Sequence, residues 1–206
     1  DYDRYSVPAW RALAIVGRQT EDAALAEEAQ SELSALDPLH HFVWAENYLA
    51  SRSNASARAR AQILAGALGG EYPEQTLLEM AIGYLNVGLR GDALTLLEVD
   101  LARAGEDARQ GTAGSDVLRT TTLDAGNRGL LHRGWLALLR GDPASLDSVE
   151  DPDFQFPFRR ETLSMLEWAA QNSDAWQWNY LVALNLWAVD RGVEAGSRLR
   201  AIGNEP

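Results

Sequence analysis

Three times along this chain two alanines stand twelve residues apart inside segments whose apolar residues recur at helical spacing: Ala14 and Ala26, Ala81 and Ala93, Ala183 and Ala195. Small residues at that separation, one on each arm of a helical hairpin, face each other and let the axes approach to roughly 8 Å. A chain built this way is committed to helix-on-helix packing, so the expected fold class is all-α. The clearest copy runs from Pro73 to Ala104, PEQTLLEMAIGYLNVGLRGDALTLLEVDLARA, two amphipathic helices joined by a turn at Gly88-Leu89-Arg90-Gly91. Tyr84 lies three residues after Ala81 on the same face, and Gly88 closes the first helix.

The order small residue, aromatic, glycine, small residue resembles the tetratricopeptide repeat, whose period is about 34 residues. That resemblance implies a right-handed superhelix, an α-solenoid of about ten or eleven helices. Residues 1–206 then read as one helical-repeat domain. The other units use the same grammar. Pro8 to Gln19 is a first helix with proline in its opening turn, and Thr20-Glu21-Asp22-Ala23 caps a second that runs to Leu36 before Asp37-Pro38. Leu39, Phe42, Val43, Leu49 and Ala50 form an apolar stripe, Ser51 to Asn54 a break, and Ala55 to Leu68 a helix stopped by Gly69-Gly70. Residues 105–127, rich in glycine and polar side chains, are expected as a loop or irregular insertion. Periodicity returns over Arg128 to Arg140 with Gly134 in the small position, and Asp142-Pro143 opens a brief helix that ends by Glu150. Beyond Asp151 a helix carries Phe158, Thr162, Met165, Leu166 and Ala169 on one face, followed by the last alanine hairpin.

Particular words resemble the C-terminal helical region of bacterial proteins carrying the uncharacterised domain DUF5107. They are Asp37-Pro38-Leu39-His40-His41-Phe42, Thr76 to Ala93, Phe156-Pro157-Phe158-Arg159, Leu166-Glu167-Trp168-Ala169 and the Gly203 to Pro206 ending. In that group a galactose-mutarotase-like β-sandwich precedes tetratricopeptide-type helices. The resemblance implies a scaffold accessory to a carbohydrate-related domain that this chain does not contain, and it carries no catalytic residue onto it. A start at Asp1 rather than Met agrees with the expectation of a piece of a longer protein.

Composition excludes several classes. With no cysteine there is no disulfide, thiolate zinc site or cysteine nucleophile. The redox compartment stays open, and the cytoplasm is the favoured expectation. A net charge of −12 repels phosphate backbones, so no nucleic-acid partner is expected. No apolar run approaches the ~20 residues that span a bilayer, so no membrane partner is expected either. All 18 basic residues are arginine, which suggests a GC-rich, salt-adapted source.

Chemistry-bearing motifs are sparse. His40 and His41 are adjacent and point to different helix faces, His132 stands alone, and metalloprotease, nucleophile-elbow and phosphate-loop patterns are missing. Capping or surface packing near a helix N-terminus is the expected role of the His40-His41 pair. Asp151-Pro152-Asp153 reads as a turn, with Arg159 and Arg160 pairing to it rather than clamping an anion beside Phe156 and Phe158. Asn54-Ala55-Ser56 matches a glycosylation sequon by chance. No catalytic residue, cofactor or metal is expected, and the chain is expected not to be an enzyme.

What remains is surface. Trp168, Trp176, Trp178, Tyr180 and Trp187 concentrate aromatics in twenty residues; Trp168 and Trp187 are expected in the core, Trp176 and Gln177 nearer solvent. On the tetratricopeptide alignment the concave wall holds Leu78, Ile82, Leu85 and Asn86, then Leu131, Trp135, Leu138 and Leu139, then Tyr180, Leu184, Trp187 and Ala188. So apolar a wall should be covered, by a tightly wound superhelix, by the missing sandwich domain or by a second copy in a homo-oligomer. The first helix offers Arg11, Ile15, Arg18 and Gln19, the polar end of that wall. The candidate interaction surface is therefore Arg11, Arg18, Asn86, Trp135, Trp176, Gln177, Tyr180 and Trp187, for a protein partner or the protein's own N-terminal domain. The alternatives are an oligosaccharide or small-ligand module using the aromatic cluster, and helices that complete the site of a carbohydrate-active enzyme.

Overall fold

The computed structural model describes residues 5–51, 57–68, 73–99, 129–147 and 157–203. Among them the chain forms ten α-helices, one 3-10 turn and no strand. The helices are α1 (Val7–Gln19), α2 (Ala23–Leu36), α3 (His41–Ser51), α4 (Ala57–Ala67), α5 (Pro73–Asn86), α6 (Arg90–Leu97), α7 (Leu130–Arg140), α8 (Thr162–Asn172), α9 (Trp176–Ala188) and α10 (Gly192–Ile202), with the 3-10 turn Pro143–Leu146 after α7. Consecutive helices pack in pairs: α1 on α2, α3 on α4, α5 on α6, α9 on α10. In the first half α3 is the hub and also touches α1, α2, α5 and α6, while in the second half α7 packs on α6, on the 3-10 turn and on α8, which leads to α9.

The small residues sit where helices meet. Ala14, Ala81, Ala93, Ala183 and Ala195 have no exposed surface. In the first hairpin Gly17 also marks a close approach, since a Cβ added there would stand 2.6 Å from the Ala26 backbone nitrogen. Gly134 fills its expected small position: a Cβ there would collide with Met165 Sδ and lie 3.1 Å from Trp178 Cζ3, so its absence seats α7 against α8 and α9. Gly88 and Gly141 end α5 and α7 at φ +80° and +69°, the left-handed backbone that a helix stop favours.

Several sequence expectations need correction. The cap expected within Thr20 to Ala23 is made by Asp22, whose carboxylate accepts from Leu25 N at 3.1 Å, while Thr20 gives its hydroxyl to Val16 O at 2.8 Å. Arg90 and Gly91 belong to the first turn of α6 rather than to the hairpin turn. Asp142 makes no side-chain cap, and what it precedes is a single 3-10 turn. Phe158 precedes α8 and is 55% exposed, whereas Thr162, Met165, Leu166 and Ala169 are buried as expected. Trp187 is 66% exposed and Trp178 is completely buried, so Trp178 is the tryptophan that fills the core of the last hairpin. α9, WQWNYLVALNLWA, is apolar nearly all round, and such a pattern does not mark which side faces inward. The 105–127 insertion, the Asp151-Pro152-Asp153 turn and the sequon at Asn54 lie outside the described residues.

Side-chain bonds tie the two halves. Arg90 Nη2 donates to the carbonyls of Leu138 at 2.7 Å and Leu139 at 3.1 Å, satisfying terminal acceptors of α7, and His132 Nε2 bonds to Leu97 O at 2.7 Å. Among the described residues no helix is long and apolar enough to cross a membrane.

Candidate functional site

The chemically richest place is where α1, α3, α5 and α6 converge. α3 carries Phe42, Glu46 and Leu49 at helical spacing, and all three are buried, so a carboxylate stands in an apolar stripe and must find partners there. Arg18 supplies them from α1: its Nε donates to Glu46 Oε2 at 2.6 Å and its Nη2 to Asp92 Oδ2 at 2.8 Å. Tyr84 of α5 donates its hydroxyl to Glu46 Oε1 at 2.5 Å, and Gln19 donates to Asp92 Oδ2 at 2.9 Å. Asp92 is in the first turn of α6, where a carboxylate also suits the helix dipole.

Burial would depress the Arg18 guanidinium, but the hydrogen bonds and charges of Glu46 and Asp92 more than offset it and hold Arg18 above its ordinary value. Burial, the Glu46 charge and the Glu46 hydrogen bond push the Tyr84 phenol well above its ordinary 10.0. A second cation, Arg11, lies against the same cluster with its guanidinium 4.2 Å from the Phe42 ring centroid, while Phe42 stacks on Tyr84 at 5.1 Å. Two arginines thus face two carboxylates, which keeps the interior close to neutral. Burial lowers Arg11, partly countered by Tyr84 and Glu46.

Beside this cluster an open cleft of about 330 Å³ is lined from α1 by Arg11, from the α2–α3 connection by Asp37, Leu39 and His40, from α3 by His41 and Phe42, from α5 by Thr76, Glu79 and Met80, and from the approach to α8 by Arg159. The expected capping role of the histidines falls to His40, whose Nδ1 accepts from Phe42 N at 3.3 Å; the proton of the neutral ring is then on Nε2. Burial lowers His40, with Asp37 opposing and Arg11 and His41 adding to the fall. Arg159 pairs with Glu79 of α5. Among the described residues no three of His, Asp and Glu come together as a metal set.

The expected surface residues divide. Arg11 borders the cleft, whereas Arg18 is turned inward and only 11% exposed, and Trp135 is buried at 6%; neither is presented to a partner. Trp135 Nε1 and Gln177 Oε1 are buried without a hydrogen-bond partner among the described residues. Asn86 is exposed and donates to Glu161 Oε1 at 3.4 Å. Trp176 and Tyr180 are half-buried and meet edge to face at 6.0 Å on α9, the helix whose end bears exposed Trp187. Of the wall, Leu78, Ile82, Leu131 and Leu139 are buried while the α9 row is largely open. Glu46, Tyr84, Asp92 and Gly83 were not among the expected site residues. The signal for Glu46 is present in the sequence, a lone acid between Phe42 and Leu49 on one helix stripe.

Comparison with known proteins returns no match to a family model, a curated protein or a solved structure.

Proposed function

We propose that the chain is a non-catalytic helical-repeat scaffold for protein or interdomain contacts, wound as a tetratricopeptide-like right-handed superhelix and accessory to a mutarotase-like sandwich domain. The observation that carries this reading is the use of the interior charges. Arg18, Glu46, Asp92 and Tyr84 are spent on one another, fastening α1, α3, α5 and α6 together, which is how a scaffold fixes helix order rather than how a site holds a reacting group ready. The pairing of consecutive helices over small residues supports the repeat architecture, and the resemblance of several sequence words to DUF5107 proteins motivates the accessory role. The exposed Trp187 on α9, with half-buried Trp176 and Tyr180, is the face offered to the partner.

The test is co-elution of this chain with the β-sandwich encoded in the same open reading frame. Binding weakened by Trp187→Ser at unchanged thermal stability supports the proposal; an open reading frame without a sandwich, or binding indifferent to Trp187, overturns the accessory role.

A further inference from the structure

Arg11 is set apart from every other charged group near the cleft. It has no hydrogen bond or ion pair among the described residues, although its neighbour Arg18 makes three donor contacts, two with Glu46 and one with Asp92. Its guanidinium is packed between two elements. One side lies on the Phe42 ring, and Nη2 occupies the place where any side chain at position 83 would put its Cβ. A glycine inside a helix costs about 1 kcal/mol relative to alanine, and here that cost makes the seat of an arginine on another helix. The result is a guanidinium packed on Phe42 and Gly83 at the wall of an open cleft, without a carboxylate of its own among the described residues.

We propose that the cleft between α1, α3 and α5 binds a monocarboxylate with a compact apolar body, its carboxylate on Arg11 and its body against Leu39 and Met80. A carboxylate accepts charge-assisted hydrogen bonds from a guanidinium. The Nε2–H of neutral His40 adds a donor at the same wall. Leu39, 81% exposed, and Met80 supply apolar surface to the same cleft. Size limits the ligand: at about 30 Å³ per water, 330 Å³ holds roughly ten non-hydrogen atoms. Charge selects against phosphate, because Arg159 is already neutralised by Glu79 and Asp37 lines the same cleft, leaving Arg11 to face a single negative charge. This inference stands independently of the scaffold reading.

The probes are phenylacetate, its neutral isostere phenylacetamide, and inorganic phosphate, titrated into the whole chain and followed by calorimetry and backbone amide NMR. Phenylacetate should bind saturably, with shifts confined to the α1, α3 and α5 residues of the cleft, and phenylacetamide should bind at least about tenfold more weakly because the charge-assisted pair is lost. Arg11→Gln should abolish binding, and Gly83→Ala, which pushes the tip of the guanidinium aside, should weaken it while the melting temperature holds or rises. Acetyl-Ala-Leu-Glu-Leu-Ala-amide identifies the source of the carboxylate: competition with phenylacetate assigns it to a glutamate of a peptide partner, and no competition assigns it to a free acid. Equal binding of acid and amide, tighter binding of phosphate, or retained phenylacetate binding in Arg11→Gln would overturn the proposal, and the first two readouts need no variant.

Discussion

Tyr84 and Glu46, thirty-eight positions apart on α5 and α3, share a hydrogen bond of 2.5 Å in an interior where neither is reached by water. Glu46 could not remain in that stripe of apolar residues without such donors, and the same carboxylate is gripped by Arg18 from α1. Tyr84→Phe should therefore cost about 1.5–3 kcal/mol in urea unfolding, the usual worth of a hydrogen bond to a charged group. The pH dependence has a definite sign. Folding raises the phenol above its ordinary 10.0, so the stabilisation is complete below pH 10 and is lost as pH climbs beyond it, where the unfolded chain gives up its proton first. Wild type should lose stability above pH 10 more steeply than Tyr84→Phe; parallel curves would show that the phenol is not held.

Removing the other side of the cluster should be harsher. Glu46→Ala leaves Arg18 with one carboxylate and takes the partner from Tyr84, for an expected loss of about 3–5 kcal/mol. In a double-mutant cycle Arg18→Ala with Glu46→Ala should cost clearly less than the sum of the two single changes. Additive losses would mean the pair contributes no coupling.

Much of the helical layout was legible where local signals mark it: a proline opens α1, Gly88 and Gly141 stop α5 and α7, and alanines mark the crossing of α5 with α6 and of α9 with α10. The cluster was legible only in part. An acid between Phe42 and Leu49 announces a buried charge, but its partners come from residues 28 and 38 positions away, and no local pattern brings Arg18 and Tyr84 to the same atom. Gly83 shows the same limit, since its reason for being glycine is a guanidinium on α1. α9 misled for the opposite cause: with apolar residues on every side, Trp178 and Trp187 are equivalent in the sequence, and only packing against α8 and α10 separates them.

The small-residue crossings predict a sharp contrast. Ala81 has no exposed surface in the α5–α6 hairpin, so Ala81→Leu should cost about 1–3 kcal/mol through overpacking. Ala24, exposed near the start of α2, should accept leucine within about 0.5 kcal/mol. Equal melting temperatures for the two variants would show that Ala81 does not mark a close approach.

Charge predicts a response to salt. Thirty acidic residues against eighteen arginines repel one another over the folded surface, and 0.1 M salt screens charges beyond about 10 Å. The melting temperature should rise from low to moderate sodium chloride. A flat or falling trend would show that surface repulsion is not a destabilising term here and would remove the argument for salt adaptation.

Two tryptophans separate core from surface most cleanly. Trp135 is 6% exposed on α7, among Leu131, Leu139 and the helices that Gly134 draws close, whereas Trp187 is 66% exposed near the end of α9. Emptying the Trp135 site leaves a cavity that neighbouring side chains fill only in part, so Trp135→Ala should cost about 3–5 kcal/mol and lower the melting temperature markedly. Trp187→Ala removes surface that folding hardly takes from water, so its melting temperature should stay within a degree or two of wild type, the usual scale of a neutral surface change. Differential scanning fluorimetry distinguishes them directly. A large loss at Trp187 would place it against residues that the fold shows it does not cover, and an indifferent Trp135 would mean that α7 is not packed where its leucines and Gly134 put it.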